Sequence, residues 1–94
     1  MPELSNINVV REILSRHGFH FSKALGQNFI VNPEVCPRIA CESGVDKDMC
    51  ALEIGPGIGV LTKELAKRAK RVLAVEIDEA LPPVLAETLA EFDN

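Results

Sequence analysis

Apolar side chains recur at helical spacing near the start of the chain. Ile7, Val10 and Leu14 share one face, Val9 and Ile13 flank it, and the pattern predicts an amphipathic helix over 6–17. Ser5 or Asn6 suits its N-cap, and Gly18 its end. From Phe19 to Val31 no period holds and Gly26 interrupts, so this stretch is expected to be irregular. Asn32-Pro33 then resembles an N-cap with proline in the first helical position, opening a helix that ends near Gly44. Pro37 lacks a backbone donor about one turn in, so that first turn is distorted or the regular helix begins nearer Pro37.

The pattern changes after residue 49. Cys50 to Ile54 is a short, mostly apolar run that stops at Gly55, which predicts a strand. Leu61, Leu65 and Ala69 form an i, i+4, i+8 row with Lys63, Lys67 and Lys70 turned elsewhere, which predicts a helix over 59–70. Val72 to Val75 is continuously apolar, as in a parallel strand covered on both faces. Strand, helix and strand at this spacing make a βαβ unit. A last helix from about Glu79 to Phe92 would place Leu81, Leu85, Leu89 and Phe92 on one face, with Pro82 and Pro83 in or before its first turn. Two strands do not complete a doubly wound sheet, which normally has about five or more. The pattern therefore reads as one N-terminal fragment, helical over 1–49 and βαβ with a following helix over 50–94, of something larger.

Composition narrows the classes. The 94 residues are 47% hydrophobic and 26% charged, which excludes disordered and low-complexity chains. No apolar run approaches the ~18 residues of a membrane span. The N-terminus lacks a signal peptide's layout, so a cytoplasmic setting with no membrane partner is expected. Cys36, Cys41 and Cys50 form no CxxC pair, and with only His17 and His20 upstream no metal-ligand spacing arises. The net charge is −4, against a chain that coats nucleic acid by bulk electrostatics. It is uneven: residues 1–47 carry five basic and five acidic side chains, residues 48–94 five and nine.

The sharpest chemical feature is Glu53-Ile54-Gly55-Pro56-Gly57-Ile58-Gly59, placed where strand passes into helix. Glycines there permit a tight turn and close approach of a ligand to the backbone. Glu76 follows Gly55 by 21 residues, at the end of the next strand, where a carboxylate can accept hydrogen bonds from ribose hydroxyls. Together they point to a nucleoside-containing cofactor. A dinucleotide fingerprint needs GxGxxG, but its third glycine would fall at Val60, and Pro56 removes a backbone donor from a pyrophosphate cradle. S-adenosylmethionine, a nucleoside with an amino-acid tail and no phosphate, fits this loop better.

Three segments, Lys23-Ala24-Leu25-Gly26-Gln27-Asn28-Phe29-Ile30, Glu53-Ile54-Gly55-Pro56-Gly57 and Val75-Glu76-Ile77-Asp78, resemble the ribosomal RNA adenine dimethyltransferases. The resemblance runs from about Leu14 onward, and Gly26 before Gln27 tilts it toward the enzymes of the small subunit. It implies an α/β, partial Rossmann-like S-adenosylmethionine-dependent methyltransferase fold and an rRNA or pre-ribosomal subunit as partner. Asn28 and Ile30 match the family segment that folds over the cofactor, Gly55 the glycine touching its amino-acid portion, and Glu76 the residue holding its ribose. The family's adenine-binding Asp and its Asn-(Leu/Pro)-Pro-Tyr segment are not among these 94 residues, so no catalytic residue is expected here. Two other classes stay open on the residues alone: the first βαβ unit of an NAD-dependent dehydrogenase, and a non-catalytic fragment that binds RNA or protein.

Overall fold

The computed structural model describes residues 3–19 and 33–94. The element order is α1 (Ile7–Arg16), α2 (Val35–Glu42), β1 (Cys50–Ile54), α3 (Val60–Arg68), β2 (Arg71–Val75) and α4 (Leu81–Thr88). The α/β class and the βαβ unit expected from the sequence are both present. Phe19 follows the turn that ends α1, and residues 20–32, including Asn28 and Ile30 and most of the stretch expected to be irregular, lie outside the described residues.

Local chemistry sets the helix ends. The Asn6 side chain accepts from the backbone N–H groups of Asn8 and Val9, so Asn6 rather than Ser5 caps α1. Gly18, at φ +78°, turns the chain out of the helix, and Phe19 N–H donates to Leu14 O at 2.8 Å. Of the two openings expected for α2, the one nearer Pro37 holds and the Asn32-Pro33 start does not: Glu34 is the N-cap and Val35 the first helical residue. That start makes Pro37 the third helical position, where a backbone donor has no intrahelical acceptor to lose. A helix starting at Pro33 would have left the Pro33 carbonyl without its donor. The same rule starts α4 at Leu81, not Glu79, so that Pro82 and Pro83 both fall within its first three positions. α4 also ends earlier than expected, at Thr88, and the chain then turns through Leu89 and Phe92.

β1 and β2 pair in parallel, with Leu52 opposite Leu73 and Ile54 opposite Val75. Gly55 N–H donates to Val75 O, so alternate β2 residues address β1 and Val72 addresses the other edge. There Val72 N–H donates to Asn94 O at 2.9 Å, while the Asn94 side-chain amide donates to the Ala66 and Ala69 carbonyls at the end of α3.

The core holds Leu4, Val10, Ile13 and Leu14 from the N-terminal part, Leu81 and Val84 of α4, and Ile58 of the glycine loop. Leu52 is 64% exposed, Ile54 73% and Leu73 65%, so within these residues β2 is covered on one face rather than on both as its apolar run suggested. The run is apolar, but an apolar face is not by itself a covered one.

Candidate functional site

The site forms at the carboxyl ends of the two parallel strands, where open α/β sheets place their ligands. β1 ends at Ile54, and the backbone then reverses through three glycines of positive φ: Gly55 at +71°, Gly57 at +61° and Gly59 at +95°. Between them Pro56 and Ile58 point inward and are buried. Gly55 stays tied to the sheet through its 2.8 Å bond to Val75 O, and Gly59 N–H returns to Pro56 O at 3.0 Å. Gly59 is then the N-cap of α3, its carbonyl accepting from Lys63 N–H at 2.9 Å. The loop is therefore a fixed turn.

Glu76 closes this loop from the neighbouring strand. One carboxylate oxygen accepts from Gly57 N–H at 3.1 Å, the other from Asp78 N–H at 3.0 Å. Each oxygen keeps lone-pair capacity beyond these bonds. Glu76 is partly buried and is no free strand-end charge. Asp78 in turn accepts from Ala80 N–H at its side chain and from Leu81 N–H at its carbonyl, which starts α4.

The glycines divide by what surrounds them. An added Cβ at Gly55 would meet no atom within 4 Å, so this glycine borders open space. At Gly59 it would lie 3.1 Å from Leu85 Cδ2 and from Thr88 Oγ1, and 3.3 Å from Leu89 Cδ2. The third glycine of GxGxG thus serves the seating of α4, where the spacing alone suggested access for a ligand.

A family model describing ribosomal RNA adenine dimethylase matches residues 18–94, which takes in the loop, Glu76 and both strands. The chain belongs to that family. It is 52% identical over 84 residues to the Ribosomal RNA small subunit methyltransferase A of Geobacillus thermodenitrificans, covering 89% of this chain and 29% of that protein. It is 47% identical over all 94 residues to the proteins of that name from Bacillus mycoides and Bacillus thuringiensis, covering 32% of each. The chain thus spans about three tenths of the length of these curated relatives.

Of the family residues anticipated from sequence, the structure brings Gly55 and Glu76 to one rim, joined through Gly57, while Asn28 and Ile30 lie outside the described residues. A shallow concavity between the N-terminal segment, α2 and α3 is lined by Leu4, Pro33, Cys36, Val60 and Glu64 but not by Gly55 or Glu76. Burial, with Glu53 and Glu64 nearby, raises the Cys36 thiol above its ordinary pKa, which disfavours a nucleophilic thiolate there. Cys41 and Cys50 are exposed, and all three thiols are free. Among the described residues no helix is long and apolar enough to cross a membrane, and no His, Cys, Asp and Glu side chains gather to hold a metal ion.

Sequence reasoning missed two contacts. Thr88 is fully buried and donates to Ile58 O at 2.7 Å; its one signal is a polar side chain on the apolar row of Leu81 and Val84. Glu53 accepts from the Thr62 hydroxyl at 2.5 Å on the covered side of the sheet. Burial raises the Glu53 carboxyl above its ordinary value of 4.5, opposed by the Thr62 bond. The folded state thus holds a proton more tightly than the unfolded chain, and stability falls as pH rises from that ordinary value through the raised one. Glu53→Gln keeps an acceptor for Thr62 without the charge. It is expected to match or exceed the native stability at pH 7, by no more than about 1 kcal/mol because water still reaches the group. Urea denaturation at pH 7 and pH 4 checks this: the gain should shrink at pH 4, and a clear loss at pH 7 would show that the ionised form is the one needed.

Proposed function

We propose that the chain supplies the first part of the cofactor site of an S-adenosylmethionine-dependent enzyme that methylates adenine amines in small-subunit rRNA. The observation that carries this reading is the bond from Gly57 N–H to Glu76, which joins the glycine loop to an acidic strand end at the carboxyl rim of a parallel pair. Membership of the adenine dimethylase family and the printed names of the relatives support it. Because those relatives are about three times as long, the activity, the rRNA or pre-ribosomal partner and a cytoplasmic setting are proposed for the whole protein. Residues 1–94 are then one N-terminal part of its catalytic domain, and the bare apolar face of β1 and β2 would be covered by the remainder.

The residues present fit the cofactor. Open space beside Gly55 admits an amino-acid portion against the backbone. Glu76, its two oxygens already ordered by Gly57 and Asp78, can accept from two ribose hydroxyls. Asn28 and Ile30 join this set on the resemblance to the family. The cofactor, when bound, supplies the methyl group; the chain binds and orients, since such a transfer depends mainly on alignment of the reacting atoms. A dinucleotide suits the loop less well, because buried Pro56 offers no donor and the position of a third glycine is Val60, the first residue of α3.

Calorimetry on the full-length protein tests this reading. S-adenosylhomocysteine is expected to bind and NAD is not, and the full-length enzyme should methylate small-subunit rRNA. The 94-residue chain is expected to bind weakly and to transfer nothing. The reverse ligand preference would overturn the assignment in favour of a dehydrogenase unit, and methylation by the 94-residue chain would place catalytic groups where none are proposed.

A further inference from the structure

The glycine loop is held from two sides, and only the Glu76 side belongs to the site already described. On the other side stands α4. Thr88, with no exposed surface, donates its hydroxyl to Ile58 O, the carbonyl between the second and third loop glycines. Its hydroxyl oxygen also lies 3.1 Å from where a Gly59 Cβ would stand, so it touches the loop at two consecutive residues. One residue earlier, Glu87 fastens the same helix to α1. Arg16 donates to both Glu87 oxygens, at 2.9 and 2.6 Å, and His17 Nε2 lies 2.8 Å from one of them. Glu12 holds Arg16 from behind at 2.6 Å. Two adjacent residues of α4 therefore tie it on either side, Glu87 to α1 and Thr88 to the backbone of the loop.

We infer that Thr88 is a positioning residue for the glycine loop, setting the backbone through its bond to the Ile58 carbonyl, with Glu87 and Arg16 anchoring the helix that carries it. Among the described residues, the hydroxyl is the only side-chain group bonded to that carbonyl. Without it, a buried acceptor is left unsatisfied between two glycines, the residue type with least intrinsic preference for one conformation. The loop would then relax, and the Gly57 N–H that meets Glu76 would be less well aimed. Any cofactor resting on Gly55 and Glu76 would feel this although Thr88 never touches it. The inference rests on the proposed cofactor site for its effect on binding, but not for its effect on the loop.

Thr88→Val removes the hydroxyl at nearly constant volume, and Thr88→Ser restores it. In the full-length protein without cofactor, amide exchange at Gly57 and Gly59 should quicken at least about fivefold in the valine variant and return to near native in the serine variant. Binding of S-adenosylhomocysteine should weaken about five- to twentyfold for valine and within about twofold for serine. Under saturating cofactor the maximal rate should be largely kept. A purely structural role predicts a lower melting temperature with native affinity and native loop exchange in the folded fraction, and that result overturns the inference. Should Thr88→Val fail to fold, Glu87→Gln at the partly exposed tie to α1 serves, with an expected two- to fourfold loss of affinity and faster Gly59 exchange; unchanged values for both overturn it. If the native protein binds no S-adenosylhomocysteine, the proposed function fails, while the exchange measurement still decides the role of Thr88.

Discussion

Glu76→Ala in the full-length protein is expected to weaken S-adenosylhomocysteine binding by roughly tenfold to more than a hundredfold. Charge-assisted bonds to two ribose hydroxyls are worth about 1.5–3 kcal/mol, which converts to that range. The structure adds a second contribution. Alanine also releases the Gly57 and Asp78 N–H groups that the carboxylate now holds, so the loop and the entry to α4 lose a shared acceptor. Glu76→Gln separates the two effects. Its amide oxygen can still accept from Gly57, but its amide nitrogen would face the Asp78 donor and no charge remains, so an intermediate affinity is expected. Calorimetry on the three proteins checks the series. Equal affinity across it would make Glu76 a bracket for the loop with no part in the cofactor site.

The glycine loop and the βαβ unit were legible because they depend on local rules. β1 was anticipated to the residue, since an apolar run that meets Gly55 has nowhere else to end. Helix starts were less legible, because proline tolerance depends on counting from the true first residue: Pro37, Pro82 and Pro83 each moved a start by about two positions. The end of α4 depended on a distant event, the return of Asn94 to β2 and to the last carbonyls of α3, which no local period encodes. The same holds within the site. Gly55 and Glu76 announce themselves by residue type at the ends of strands. Thr88 and the Arg16–Glu87 contact connect residues 30 and 71 positions apart and needed the fold to bring them together. Arg16 and His17 both meet Glu87, whose carboxyl they hold down to about 2, Arg16 first.

Gly55→Ala and Gly59→Ala are expected to fail in opposite ways. Both glycines have positive φ, +71° and +95°, where an L side chain costs about 1–2 kcal/mol. At Gly55 nothing else is lost, because the new methyl enters open space. At Gly59 the methyl would press on Leu85, Leu89 and Thr88 within 3.3 Å. The leucine ends can swing aside, but Thr88 Oγ1, held by its bond to Ile58 O, must give by a few tenths of an ångström, which strains that bond without breaking it. Overpacking of this kind adds about 1–3 kcal/mol, giving roughly 2–5 kcal/mol in all for Gly59→Ala. Affinity should show the reverse order. The Gly55 methyl stands where the amino-acid portion of the cofactor is proposed to rest, so binding should fall by at least about tenfold, the equivalent of roughly 1.4 kcal/mol. The folded fraction of Gly59→Ala should bind within a few-fold of native. Urea denaturation and calorimetry on the full-length variants give both readings. Equal stability losses would mean that α4 does not brace the loop, and native affinity in Gly55→Ala would move the cofactor away from the first glycine.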